Sequence, residues 1–408
     1  YGSSCIHTTV VCRTQAMHQL ANKSIALVET LFVAGGSLDE GISAAVFGFS
    51  TASKVWRKFP DLIKARACHR AVFAQEQEAI VVVGGSKEWP SPGFAECEIL
   101  HLHPAHVGYL NWQPLPSLQH ARSCHGLCHF EGKVYACAGM MNPSRARGHG
   151  IGQFDLTDSC EVLDLSDAGQ HWREFPKLNL ARFGLQLLPV PLGTKTFLLA
   201  IGGRGPHPAA EYSVEAFEVD GTENKWVLLR DAQLLAPRID FAAALVEERG
   251  IGSVDVVILG GNRVTQDEES DSSRSWEILR LTLGPEGKLG ASVLPGGRLP
   301  SSRVGCRATV LQQLVQGKQH LAVAGGFRAW GEGQVSYGGP LDQSVAVMEL
   351  RGSGSGNSNA VSWVDFSDVR IGTELQNLPI KLHAPAVCTG LHVGGENVGG
   401  EEARQEEL

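Results

Sequence analysis

A strand that ends in paired glycines, followed by a second strand of one fixed pattern, recurs six times in this chain and constrains its architecture more than any other feature. The pairs are Gly35-Gly36, Gly84-Gly85, Gly202-Gly203, Gly260-Gly261 and Gly325-Gly326, and the third copy keeps one glycine, Gly139, with Met140 next. First glycines follow one another at steps of 49 to 65 residues. Behind them come AAVFGF (Ala44–Phe49), CEILHL (Cys97–Leu102), CEVLDL (Cys160–Leu165), VEAFEV (Val214–Val219), WEILRL (Trp276–Leu281) and VAVMEL (Val345–Leu350). A tryptophan then opens a further strand at Trp56, Trp112, Trp172, Trp226 and Trp363; the fifth copy lacks it, and its last strand reads as degenerate. A unit this short cannot bury both faces of a sheet alone, so neighbouring copies must cover one another.

The run Ala121–Pro176 is the cleanest copy. A strand reaches Phe130, Glu131-Gly132 forms a tight turn, and KVYACA (Lys133–Ala138) leads back to Gly139. After a long loop, CEVLDL and the segment from Trp172 supply two more strands. Four antiparallel strands per copy is the expected unit.

Paired glycines closing the second strand, a spaced aromatic and a period near fifty residues resemble the kelch repeat. The resemblance covers about Ser4 to Val393. It implies an all-β protein, a six-bladed β-propeller with four antiparallel strands per blade, closed by a terminal strand. The blades are expected near 5–62, 66–118, 122–178, 182–234, 238–299 and 303–367, within one domain spanning 1–393. Two closures stay open. The strand-like run 383–393 completes the first blade, or Thr8–Cys12 does so and the C-terminal run packs elsewhere. Residues 394–408 read as a disordered acidic tail.

Composition excludes several classes. The net charge of −8 argues against nucleic-acid binding by bulk electrostatics. No apolar run approaches the roughly 18 residues of a membrane-spanning helix. The chain opens on Tyr1, so an upstream segment is expected. Cys5, Cys68, Cys124, Cys306 and Cys388 fall at similar places in their copies; this is repeat placement rather than a disulfide framework, and it points to reduced thiols and a cytoplasmic protein.

No motif carries chemistry convincingly. Cys124 and Cys128, or His125 and His129, lie four residues apart, about 13 Å along a strand, too far to share one metal ion. His101, His103 and His106 have better spacing but stand at a strand end. Nucleophile elbows and phosphate-cradling loops are absent, so no catalytic residue, metal or cofactor is assigned and an enzyme is the minority expectation. Arg66, Arg122, Arg182, Arg238 and Arg303 recur before the first strands and are expected to tie neighbouring blades through carbonyls; the tryptophans are expected to pack blades.

The loops behind the glycine pairs differ between copies, which is where function is expected. They carry Lys87, Arg145, Arg147, Arg204, Arg263 and Arg328, with Trp330, Tyr337, His149 and His207 nearby. The resulting expectation is a basic face that binds a protein partner through an acidic peptide segment, the protein acting as a scaffold or substrate-recognition adaptor. The alternative is a propeller enzyme or carbohydrate-binding protein, sialic-acid mutarotase-like or oxidase-like, marked by a deep central pocket lined by His, Glu and Arg.

Overall fold

The computed structural model describes residues 7–8, 27–38, 41–87, 93–141, 155–167, 169–248, 252–261, 274–284, 286–299, 303–315, 318–324, 345–350 and 386–393. Almost all regular structure in them is β. The first sheet runs β1 (His7–Thr8), β26 (Ala386–Val393), β2 (Leu27–Ser37), β3 (Ile42–Ser50) and β4 (Trp56–Phe59). The second runs β5 (Arg70–Ala74), β6 (Ala79–Val83), β7 (Cys97–His101) and β8 (Trp112–Leu115). The third runs β10 (Gly126–Phe130), β11 (Lys133–Cys137), β13 (Cys160–Asp164) and β14 (Arg173–Phe175), beside a small pair made by β9 (Arg122–Ser123) and β12 (Met140–Met141). The fourth runs β15 (Gln186–Leu192), β16 (Lys195–Ile201), β17 (Val214–Val219) and β18 (Val227–Leu228). The fifth runs β19 (Ala242–Glu248), β20 (Ser253–Leu259), β21 (Ser275–Leu283) and β22 (Leu289–Arg298), and the sixth β23 (Arg307–Val315), β24 (Lys318–Ala324) and β25 (Val345–Leu350).

Pairing within the sheets is antiparallel except that β1 runs parallel to β26. The C-terminal strand pairs along β2 from Leu27↔Val393 to Ala34↔Ala386 and so takes the place of a first strand. First strands lie side by side: β26 against β5, β5 against β10, β10 against β15, β15 against β19, β19 against β23, and β23 against β26.

Apolar layers fill the spaces between successive sheets. Phe32, Phe59, Phe73 and Trp112 join the first to the second, and Val72, Val81, Leu127 and Trp172 the second to the third. Tyr135, Leu187, Leu198 and Trp226 continue this to the fourth, Leu199, Val256 and Leu279 to the fifth, and Val257, Ile278, Cys306 and Leu321 to the sixth. Because both faces are covered, β5 and β6 are buried at every residue rather than at alternate ones.

A repeated polar device fixes these layers in register. Arg66, Arg122, Arg182 and Arg238 are buried in the links between sheets. Each guanidinium donates to a carbonyl at the glycine end of the sheet ahead: Gly84 O at 2.8 Å, Ala138 O at 2.8 Å, Gly202 O at 2.9 Å and Gly260 O at 2.6 Å. Each also pairs with a buried carboxylate in that sheet's third strand, Glu98, Glu161, Glu215 or Glu277. The same carboxylates accept backbone N–H groups of the link, from Ile63, Gln119, Asn179 and Leu235. The arginine's own carbonyl accepts from the sheet behind: Gly36 N to Arg66 O, Gly85 N to Arg122 O, Gly139 N to Arg182 O, Gly203 N to Arg238 O and Gly261 N to Arg303 O, all at 2.8–3.0 Å. The carbonyl role expected of these arginines is thus present, together with four glutamates that the sequence reading did not single out. Tryptophans add a second tie: Nε1 of Trp112, Trp172 and Trp226 donates to Pro60, Pro116 and Pro176 of the preceding sheet.

The glycine pairs follow from this crowding. A Cβ on Gly84 would lie 2.5 Å from Arg122 O, and one on Gly85 2.6 Å from the His69 Cβ. Both glycines also have positive φ, 61° and 99°. The third copy corrects the register assumed from sequence. Gly139, at φ 105° and bonded to Arg182 O, matches the second glycine of the other pairs, while Ala138 holds the first position at φ 61°.

Two further expectations are corrected. The last strand of the fifth copy is not degenerate: β22 pairs with β21 from Ser275↔Arg298 to Leu283↔Leu289, and Gly297 lets it pass Trp276, whose Nε1 would be 3.0 Å from a Cβ there. Cys124 is disulfide-bonded, against the expectation of reduced thiols, whereas Cys97, Cys137, Cys160 and Cys306 are buried thiols. Gly325, Gly326, Trp363 and the tail 394–408 lie outside the described residues. Among the described residues no helix is long and apolar enough to cross a membrane.

Replacing Glu215 by Ala leaves the Arg182 guanidinium buried without its counter-charge. The expected cost is about 3–5 kcal/mol of folding free energy in a urea melt. A loss below about 1 kcal/mol, the level of an exposed pair, would contradict the role given to these arginines.

Candidate functional site

The first residue of each first strand pairs with the residue just before the glycine pair: Arg70↔Val83, Gln186↔Ile201 and Ala242↔Leu259. The links entering the first strands and the loops leaving the glycine pairs therefore share one end of each sheet. The expected basic face lies at this end. Lys87 is exposed there. Arg204 is half-buried; its backbone is fixed by reciprocal bonds with Phe183, and its Nε stands 3.8 Å from Glu211 Oε1. His207 Nδ1 accepts from Ala209 N at the start of a short 3-10 turn, Pro208–Glu211. Arg145, Arg147, His149, Arg263, Arg328, Trp330 and Tyr337 lie outside the described residues. No cluster of metal-ligating side chains occurs among the described residues. The His101 and His106 rings stack at 3.5 Å, and His129 Nε2 meets Glu76 at 3.2 Å.

Beneath this face lies a group that the sequence reading missed. Two residues after each link arginine stand Cys68, Cys124, Gly184, Asp240 and Gly305, all with φ between 51° and 72°. Their backbones form a relay from sheet to sheet: Cys124 N to Cys68 O, Gly184 N to Cys124 O, Asp240 N to Gly184 O and Gly305 N to Asp240 O, at 2.8–3.1 Å. Two residues further on, the first strands open with Arg70, Gly126, Gln186, Ala242 and Arg307. The polar members reach onto neighbouring first strands. Arg70 Nε donates to His125 O, Arg307 donates to Phe241 O at 2.8 Å, and Gln186 Nε2 donates to the same carbonyl at 2.5 Å.

These bonds leave much unsatisfied. Arg70, Gln186, Asp240 and Arg307 are fully buried. Among the described residues, both terminal nitrogens of Arg70, Nε and one terminal nitrogen of Arg307, Oε1 of Gln186 and both oxygens of Asp240 have no hydrogen-bond partner. Burial raises the Asp240 carboxyl against the opposing pull of Arg307 and Arg70. Burial also lowers both guanidiniums, and Arg307 lowers Arg70 further. His69 and His125 pack against the first glycines of the preceding sheets. Burial, with Arg66 acting on His69 and Arg70 on His125, keeps them neutral: His69 falls to about 3 and His125 well below its ordinary value. A signal was present in the sequence. The spacing R-x-x-x-R occurs at Arg66–Arg70 and Arg303–Arg307, where other copies place Gly126, Gln186 or Ala242.

A concavity of about 360 Å³ opens between the third and fourth sheets, lined by Tyr135, Phe175 and Phe217 together with Lys133, Arg173 and Glu218. Its charges are mixed in sign.

A carboxyl raised on folding is neutral in both states below about pH 4, so it then costs nothing. As pH rises above that range the unfolded form ionises first, and the folded state loses stability through the raised value. Asp240→Asn removes this term. Urea melts from pH 4 to 7 are expected to show the wild type losing stability relative to the Asn variant as pH rises; a constant gap would contradict it.

No family model matches the chain, and no curated relative does. Among solved structures the chain is similar to YjhT, with a TM-score of 0.51 and 15% identity over 74% of this chain and 91% of that one. At that identity the likeness bears on fold alone. Together with the repeated antiparallel sheets it supports a β-propeller.

Proposed function

We propose that the protein is a six-bladed kelch-type propeller, completed by β26, that serves as a protein-interaction module and takes an acidic peptide segment on the face behind the glycine pairs. The return of the first-strand neighbours from β23 to β26 supports six blades and this closure. The observation that carries the function is a division of labour. The arginines, glutamates and tryptophans of the repeat are consumed in joining sheets, whereas Lys87 is exposed and Arg204 is only loosely paired on a fixed backbone at the same end. Charged side chains presented on rigid loops suit a carboxylate-bearing partner.

A second reading, a carbohydrate-binding or enzymatic propeller, draws on the buried Arg70, Gln186, Asp240 and Arg307. Groups of that kind in the interior are more usual where a small polar molecule is held than under a flat peptide face.

The test of the first reading is simultaneous alanine replacement of Arg204, Arg263 and Arg328, read by fluorescence polarisation against an Asp/Glu-rich peptide library. The expected result is a loss of at least about tenfold in affinity, equivalent to about 1.4 kcal/mol. Equal binding by the variant would remove the peptide role from this face.

A further inference from the structure

The crevice between the third and fourth sheets is open where the corresponding one between the fourth and fifth is filled with apolar side chains, and local departures from the repeat account for it. Lys133 stands six residues before Gly139, where Phe197 stands before Gly203. Gly221 follows Glu215 at the spacing at which Leu283 follows Glu277, and Asn224 precedes Leu228 as Ala291 precedes Pro295, the residues paired with those glutamates. Phe197, Leu283 and Ala291 all belong to the apolar layer between the fourth and fifth sheets. Their counterparts one crevice earlier are polar or lack a side chain, and the concavity opens there. It lies at the end of β11 away from Gly139, and so away from the basic face.

The floor is apolar. Tyr135, Phe175 and Phe217 stand ring to ring, with centroids 5.1 and 4.7 Å apart, and Val162, Phe175 and Val219 are only partly buried. Apolar surface left half-covered in a concavity favours an apolar side chain from a partner. The rim selects the charge beside it. Arg173 is held by Asp167 and Glu218 by Lys195, which leaves Lys133, Asp164 and Asp220. Lys133 and Asp164 face each other across β11 and β13 yet form no ion pair among the described residues, whereas Asp255 and Arg280, at the same positions of the fifth sheet, pair at 2.8 Å. Hydrogen bonds from Ser166 lower the Asp164 carboxyl and keep it ionised. Burial raises the Tyr135 phenol, and Asp220 and Glu131 raise it further, so the aromatic end lies in a negative field. Two carboxylates against one amine, above aromatic rings, favour a cation.

We propose that this crevice docks a short partner segment in which an aromatic side chain, seated on Tyr135, Phe175 and Phe217, is followed by a basic residue paired with Asp164 and Asp220. The proposal goes beyond the acidic-peptide reading and uses the opposite end of the sheets.

The full chain is titrated, by fluorescence polarisation, with a labelled glycine peptide carrying tryptophan-arginine at its centre, and with alanine-arginine and tryptophan-glutamate versions. The tryptophan-arginine peptide is expected to bind at least about tenfold more tightly than the alanine-arginine one, and at least about threefold more tightly than the tryptophan-glutamate one. Lys133→Phe gives the third copy the residue of the fourth. It is expected to fill the crevice and lose at least about tenfold in affinity, with a urea midpoint no lower than that of the wild type. Asp220→Asn, at φ 58° where Asn is also accepted, is expected to lose the preference for arginine over glutamate. Lys87→Ala with Arg204→Ala is expected to change nothing here. The proposal is overturned if the tryptophan-arginine peptide does not bind, if the alanine version binds equally well, if Lys133→Phe binds like the wild type, or if Asp220→Asn keeps the preference. A dimer in sedimentation that Lys133→Phe dissolves would give the crevice to a second copy of the chain and overturn it as well. Should Lys133→Phe fail to fold, Asp220→Asn decides alone. Loss of the acidic-peptide face in the triple-arginine variant would leave this site standing.

Discussion

Successive sheets in this protein meet at one arginine, whose two halves serve different neighbours. The carbonyl of Arg182 accepts Gly139 N from the third sheet, while its guanidinium grips Gly202 O and Glu215 in the fourth. Apolar layers supply most of the driving force for stacking the sheets, but they are non-directional and tolerate sliding. The arginine restores direction. Its desolvation is costly, and that cost is offset because the guanidinium is bonded on several sides and the partner carboxylate also satisfies link amides. The glycine pairs are a consequence: links and first strands come too close to the second strand for any Cβ at Gly84 or Gly85.

The same geometry decides where free chemistry resides. Immediately after each link arginine the chain turns through a left-handed residue and starts a first strand beside its counterparts. Arg70, Gln186 and Arg307 there donate to carbonyls of neighbouring copies, whereas Ala242 packs in the apolar layer, so the repeat does not dictate one residue type at this point. Two copies place a second arginine at that point, one a glutamine and two a small residue. Departure from the repeat occurs where side chains of several sheets can act together, as is usual for sites supported on rigid repeats.

The sheets were legible because glycine punctuation and strand composition agree. The turn at Glu131-Gly132, the strands Lys133–Cys137 and Cys160–Asp164, and the packing role of Trp172 all follow from short-range chemistry. What escaped was long-range or ambiguous in register. Glu98, Glu161, Glu215 and Glu277 occupy the second place of four of the six patterned strands, but a lone glutamate reads as surface until its arginine is known to be buried. A lone glycine at 139 could be either member of a pair, and only its bond to Arg182 O settles which. The missing tryptophan of the fifth copy suggested a weak strand, whereas Trp276, one strand earlier, packs against the glycines of a long one. At the candidate site, the loop cations were visible as isolated letters. Arg70 and Arg307 were passed over because each stood behind an arginine already given a structural task.

Native-state hydrogen exchange at the amides of Gly36, Gly85, Gly139, Gly203 and Gly261 tests most directly whether these arginine links make the sheets one cooperative body. Each amide is bonded to a link carbonyl. All five are expected to exchange slowly, with the same opening free energy as global unfolding and the same response to denaturant. Sheet-by-sheet exchange at separate, faster rates would contradict it.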